Sequence, residues 1–108
     1  MRKIDDKRAR QPRASNYSKL FSRDWERLAR SGRYDMRRLK GVVLDLIAAD
    51  ASLDPEWRDH ALKGDWHGHR ECHIGGDFLL IYSVDDSAGK SGTVIFVRVG
   101  THAELFRE

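Results

Sequence analysis

All five histidines of this 108-residue chain fall between His60 and His102, in the stretch HALKGDWHGHRECHIGGDFLLIYSV and the later VIFVRVGTHAELF. Imidazole is the side chain that gives and takes protons near neutral pH. An arginine, Arg98, interrupts the second apolar run. A guanidinium buried without a partner costs on the order of several kcal/mol. It must therefore meet a carboxylate, with Asp77 or Glu71 as candidates, or open onto a cleft. In a cleft it clamps anions and steadies charge that builds up in a transition state. Histidines and a clamp together point to chemistry on a phosphate-bearing substrate.

The positions refine this reading. Strand alternation puts Val94, Phe96 and Arg98 on one face, with Ile95, Val97 and Val99 on the other. His102 follows Gly100, just past the strand end, where side chains converge on substrates, and it is a candidate general acid or base. His73 and Asp77 flank the Gly75-Gly76 turn. A carboxylate there can orient an imidazole, although Asp also favours turns for its own backbone chemistry. Phe78 and Phe106 are candidates for stacking on bases, or else core residues. Trp66 is expected in the core or at the start of a strand. His67 and His69 would share a strand face, whereas the adjacent Cys72 and His73 would point apart, and neither CxxC nor HExxH spacing occurs. No metal site is expected. The lone Cys72 is expected to be a small buried residue.

These groups need a frame. Ser18 is a plausible N-cap for a helix with Phe21, Trp25, Leu28 and Ala29 on its apolar stripe, and Gly32 offers a left-handed stop. Asp35 can cap a second helix with the stripe Met36, Leu39, Val42, Val43, Leu46 and Ile47. Asp54-Pro55 marks a loop. Residues 68–74 form a short polar strand, Phe78 to Val84 a strong one, residues 85–92 a hairpin loop, and Val94 to Val99 a second strong strand. THAELF makes a last turn or short helix. The expected fold is α+β, with two N-terminal helices packed on a small, mainly antiparallel sheet. Residues 1–14 form a flexible basic arm with a poor edge strand near Tyr17, and residues 15–108 a single domain.

Composition bounds the function. No apolar run approaches the ~18 residues that a membrane span needs, and the basic start lacks the apolar stretch of a signal peptide. One cysteine excludes an internal disulfide and fits a reducing cytoplasm. Residues 1–40 hold 14 Lys and Arg against 5 Asp and Glu, whereas residues 41–108 hold 6 against 12. A basic half of that density attracts polyanions, either a nucleic acid or an acidic protein partner.

The segment DHALKGDWHGHRECHIGGDFLLIY, the arginine of VIFVRVGTH and the ending GTHAELF together resemble the YafQ branch of the RelE/ParE toxin superfamily, over about residues 17–107. The resemblance implies a RelE-like microbial RNase fold. It also implies a toxin of a type II toxin–antitoxin module: a ribosome-dependent endoribonuclease without cofactor or metal. In such enzymes the 2′-hydroxyl of the mRNA attacks the adjacent phosphate. The family's active-site positions carry over onto His60, His73, Asp77, Phe78, Arg98, His102 and Phe106. The family often has tryptophan where this chain has Phe78, which stacks but offers no N–H donor. Implied partners are the ribosome with its mRNA and a cognate antitoxin whose acidic tail wraps the toxin, with operator DNA reached only through the antitoxin. The alternative is a non-catalytic or gyrase-directed ParE-like protein of the same fold, although ParE-type chains usually lack the histidine set.

Overall fold

Capping and periodicity account for most of the elements. The structure, a computed structural model, describes residues 13–48, 53–85 and 92–106. Strand β1 (Ala14–Tyr17) leads into helix α1 (Lys19–Ser31), and helix α2 (Met36–Ala48) follows. After a 3-10 turn at Pro55–Trp57 come β2 (His60–Ala61), a second 3-10 turn at Gly64–Trp66, β3 (Arg70–Gly75), β4 (Phe78–Asp85), β5 (Thr93–Thr101) and the short helix α3 (His102–Leu105). Among the described residues, no helix is long and apolar enough to cross a membrane.

The caps lie where the sequence puts them. Ser18 Oγ accepts the Phe21 N–H, and Asp35 Oδ1 accepts the Arg38 N–H. Gly32 ends α1 at φ 69°, a left-handed conformation that glycine adopts without steric cost. The α2 stripe is buried at Leu39, Val42 and Leu46. In α1, Phe21 and Leu28 are buried, but Ala29 is exposed and Asp24 takes a buried place instead.

The sheet runs in the order β1-β5-β4-β3-β2. Every pairing is antiparallel except that of β1 with β5, which is parallel. The edge strand expected near Tyr17 is thus present. Ala14, assigned above to the arm, already belongs to it, and residues 1–12 lie outside the described residues, as does most of the 85–92 loop. The main core joins Phe21, Leu28, Leu39, Val42 and Leu46 of the helices to Cys72, Ile74, Phe78, Leu80, Tyr82, Val94, Phe96 and Val99 of the sheet. A smaller cluster, Leu79, Ile81 and Leu105 with Leu62, Trp66, Val97 and Phe106 against it, covers the other face.

One departure from strict alternation matters for the site. The β4–β5 register steps from Ile81↔Arg98 to Tyr82↔Phe96, leaving Val97 as an extra residue. This bulge puts Phe96 and Val99 in the helix-side core and Val97 in the opposite cluster. The expectation that Val94, Phe96 and Arg98 share a face is therefore corrected. Arg98 pairs with Ile81, on the face away from the helix-side core.

Candidate active site

Strands β2 and β3 bring together groups that the chain keeps apart. Their pairing sets His60 opposite Glu71, and alternation puts His73 on the same face of β3 as Glu71. The Glu71 side chain is only 6% exposed, and both imidazoles turn toward it. His73 Nε2 lies 3.1 Å from Glu71 Oε2, and His60 Nε2 lies 3.6 Å from it. His60 Nδ1 stands 2.9 Å from the Arg58 carbonyl oxygen. A carbonyl only accepts, so Nδ1 donates there and Nε2 is left to exchange protons. Asp59, one residue earlier, is gripped by Arg70 through Nε at 3.0 Å and Nη2 at 2.8 Å, and by the Tyr82 hydroxyl. That grip fixes where β2 starts and hence where His60 sits.

The donor atoms of His60, Glu71 and His73 lie within 4.8 Å of one another, so these three could hold a divalent ion. This differs from the set weighed from sequence. His69 packs edge-on against Trp66 at 5.2 Å, and Cys72 is wholly buried in the helix-side core. Burial pushes the Cys72 thiol up to about 12, with Asp59 and Glu71 adding to the effect.

Strand pairing links this cluster to β5. Glu71 pairs with Ile81 and Ile81 with Arg98, while His73 pairs with Leu79 and Leu79 with Gly100. Arg98 is thus two strands from Glu71 on one face, roughly 10 Å away at the usual strand spacing. Its carboxylate partner is neither Asp77 nor Glu71, as the sequence reading had it, but Asp24 of α1. Nε donates to Asp24 Oδ2 at 2.7 Å and Nη2 to Oδ1 at 3.0 Å. This hydrogen bonding raises the guanidinium pKa against the opposing effect of burial. The sequence could not show it, because α1 reaches the edge of β5 only once β1 has paired beside that strand.

A second group forms at the sheet end. Thr101 and Glu104 make a capping box that starts α3 at His102. Asp77 Oδ1 accepts the His102 backbone N–H at 3.2 Å, so Asp77 acts on that histidine through its backbone rather than its ring. The exposed His102 ring lies 4.8 Å from Phe106, which in turn lies 6.1 Å from Trp66. A Cβ on Gly100 would come 2.7 Å from Glu104 Oε1 and 3.4 Å from Leu105 Cδ2. Helix α3 therefore lies on the Gly100 side-chain face, the face that carries His73 and Glu71.

Phe78 is not brought to this face. It is 5% exposed, sits in the helix-side core and packs on Tyr34 with ring centroids 4.9 Å apart. A base cannot stack on it, and the expected substrate contact is corrected to a packing role. Conversely, Glu71 and Asp24 were not put forward from sequence as site residues. Glu71 had a signal, since it stands two residues from His73 on a strand. Asp24 had one too, as a carboxylate at i+3 in the stripe from Phe21 to Leu28.

Known proteins match this chain over most of its length. Residues 13–107 match the family described as a bacterial toxin of type II toxin–antitoxin system, YafQ. The chain is 38% identical to the mRNA interferase toxin YafQ of Escherichia coli, over 83% of this chain and 91% of that protein. It is also similar to the toxin in the crystal structure of the E. coli DinJ-YafQ toxin-antitoxin complex, with TM-score 0.75 and 37% identity over 88% of this chain and 98% of that one. A metal-bound toxin from Helicobacter pylori is similar with TM-score 0.73 and 38% identity, covering 86% and 98% of the two chains.

Proposed function

The chain belongs to the YafQ family of bacterial type II toxins, and from that membership and the geometry above we propose that it is an mRNA interferase, an endoribonuclease that stops translation by cutting mRNA on the ribosome. The observation that carries the reading is the His60–Glu71–His73 cluster on the sheet face shared with Arg98 and with the helix that starts at His102. A phosphodiester needs a base, an acid and a charge clamp, and this face offers candidates for all three.

In the proposed reaction, His73, backed by Glu71, takes the proton from the 2′-hydroxyl. The 2′-oxygen bonds to phosphorus while the bond to the 5′-oxygen breaks, and His102 gives that oxygen a proton. A cyclic phosphate and a 5′-hydroxyl end result. Arg98 steadies the pentavalent phosphate, and His60 shares the charge beside Glu71. Phe106, stacked near His102, holds a neighbouring base. No step calls for a metal.

Primer extension on mRNA from cells making the chain tests the proposal. New 5′ ends should appear within translated messages, and Arg98→Ala and His102→Ala should make them far scarcer. Intact mRNA in growth-arrested cells, with gyrase inhibited instead, would turn the reading to the gyrase-directed alternative.

A second reading concerns the same three donors. The similar H. pylori toxin is metal-bound, and His60, Glu71 and His73 would accept an ion such as zinc. An ion there would occupy the lone pairs that proton transfer uses, so it would inhibit. Cleavage should then survive EDTA and fall on adding zinc. We propose a protein partner as well: a similar toxin forms a complex with its antitoxin, and an acidic antitoxin tail would suit the exposed basic residues of α1 and α2.

A further inference from the structure

We infer that Asp24 is a positioning residue for the proposed nuclease, aiming Arg98 at the phosphate and tying it to the helix that carries His102. The inference rests on the reading of Arg98 as the clamp. Asp24 lies in the apolar stripe of α1, where a carboxylate without partners would be costly, and it is only 4% exposed. It is well supplied: it accepts Arg98 Nε at 2.7 Å, Arg98 Nη2 at 3.0 Å and the Val99 backbone N–H at 3.1 Å. The Val99 bond ties the carboxylate to β5 just past the bulge, so the strand, the carboxylate and the guanidinium form one unit.

The geometry of the fork decides what remains. Asp24 engages the Nε edge and one Nη2 proton. Both Nη1 protons and the second Nη2 proton point away, and the Arg98 side chain keeps 23% of its surface exposed. That outer edge can meet two phosphate oxygens at once. Asp24 therefore holds the inner side of the clamp without competing for the substrate. A long, flexible side chain held in this way is preorganised for the charge it must meet.

The hold extends further. Arg27, on the same helix, reaches Asp24 Oδ1 at 3.3 Å through Nη2 and Glu104 Oε2 at 2.9 Å through Nη1. The other Glu104 oxygen accepts the Thr101 N–H at 2.9 Å, in the capping box that starts α3. Gly100 leaves the room for that carboxylate. Asp24 thus stands at the junction between the clamp and the helix that begins with His102. Disturbing it should change how the two groups sit relative to each other more than how tightly RNA is held.

Single-turnover cleavage of a defined mRNA on ribosomes, with the full chain, tests this. Asp24→Asn should lower the maximal rate about 30-fold and leave the half-saturating concentration within about threefold. In an Arg98→Ala background the same change should alter the rate by less than about twofold, because nothing is left to aim. A merely structural role would multiply the two losses. Should Asp24→Asn fail to fold, Arg27→Gln carries the test, since that side chain is 47% exposed. A loss of about fivefold is expected, shrinking to about twofold without Arg98, the remainder passing through Glu104 to α3. Rates within about threefold of wild type for Asp24→Asn, or losses that multiply, overturn the inference alone. Full activity of Arg98→Ala would remove the clamp reading and this inference with it.

Discussion

Phe78 and Phe106 share one expected task and end in opposite environments. Phe78 is 5% exposed beneath the helices against Tyr34, whereas Phe106 is partly exposed beside His102 and Trp66. Composition could not separate them, because side-chain type says what a ring can do and burial says what it does. Phe78→Ala should therefore cost about 3–5 kcal/mol of stability in denaturant titrations, the usual cost of emptying a core phenylalanine. Phe106→Ala should cost far less stability and instead weaken RNA engagement by about 1–3 kcal/mol, the value of one base stack. Equal losses of stability in the two variants would sink this division of labour. Glu71 sits between two imidazoles, whereas the sequence offers it only as a partner for Arg98. Glu71→Gln keeps its shape and removes its charge. Cleavage should slow about tenfold to a thousandfold, as when acid–base catalysis is impaired, while the melting temperature changes little. Unchanged single-turnover rates would remove Glu71 from the mechanism.

At the scale of elements, the helices were the most legible part. Ser18, Gly32 and Asp35 mark ends that their side chains or backbone angles then make. β4 and β5 were equally plain, because long β-branched and aromatic runs have few alternatives. β2 was missed, since two residues carry no period, and with it went the pairing that brings His60 to Glu71. The bulge at Val97 was missed as well. Alternation assumes an unbroken ladder, and one extra residue reverses which face follows it. So several members of the candidate site, such as His60 and His73, could be named from the sequence, but the pairings that bring them together could not. Helix α3 shows what such a small element controls. It is one turn long, and its start depends on Thr101, Glu104 and Asp77. Losing an N-cap hydroxyl costs about 1 kcal/mol. Thr101→Ala should lower stability by about that amount, yet lower cleavage by a larger factor, because His102 loses its place. Thr101→Ser should recover most of both. Cleavage that follows stability alone across this pair would refute a positional role for the cap.

The whole molecule divides its charge, and two consequences can be measured. The first concerns stability at high pH. Burial holds the Cys72 thiol up to about 12 from an ordinary 9.0, and burial likewise raises the Tyr82 phenol. Above about pH 9 for Cys72, and above about pH 10 for Tyr82, the unfolded chain loses its proton while the folded one keeps it. The unfolded state is then favoured, and stability falls with a slope approaching about 1.4 kcal/mol per pH unit for each such group. The Cys72 contribution is complete below pH 9 and fades as pH climbs toward about 12. Chemical denaturation at pH 8 and pH 10.5 should show the drop, and Cys72→Ala should make it shallower. The second consequence concerns association. Lys19, Arg23, Arg30, Arg33, Arg37 and Lys40 are exposed on or between α1 and α2. If that surface meets ribosomal RNA, each phosphate neutralised adds about 0.7 to the slope of log affinity against log salt. A footprint of five phosphates gives a slope near −3.5, so raising salt from 50 to 200 mM should weaken binding roughly a hundredfold. Replacing Arg23, Arg30 and Arg37 together by glutamine should flatten the slope by about 2. None of the three takes part in the Asp24–Arg27–Glu104 network, so the cleavage rate at saturation should be kept. A salt-independent affinity, or a triple variant with the wild-type slope, would move RNA docking to another face and leave the basic helices to the acidic partner.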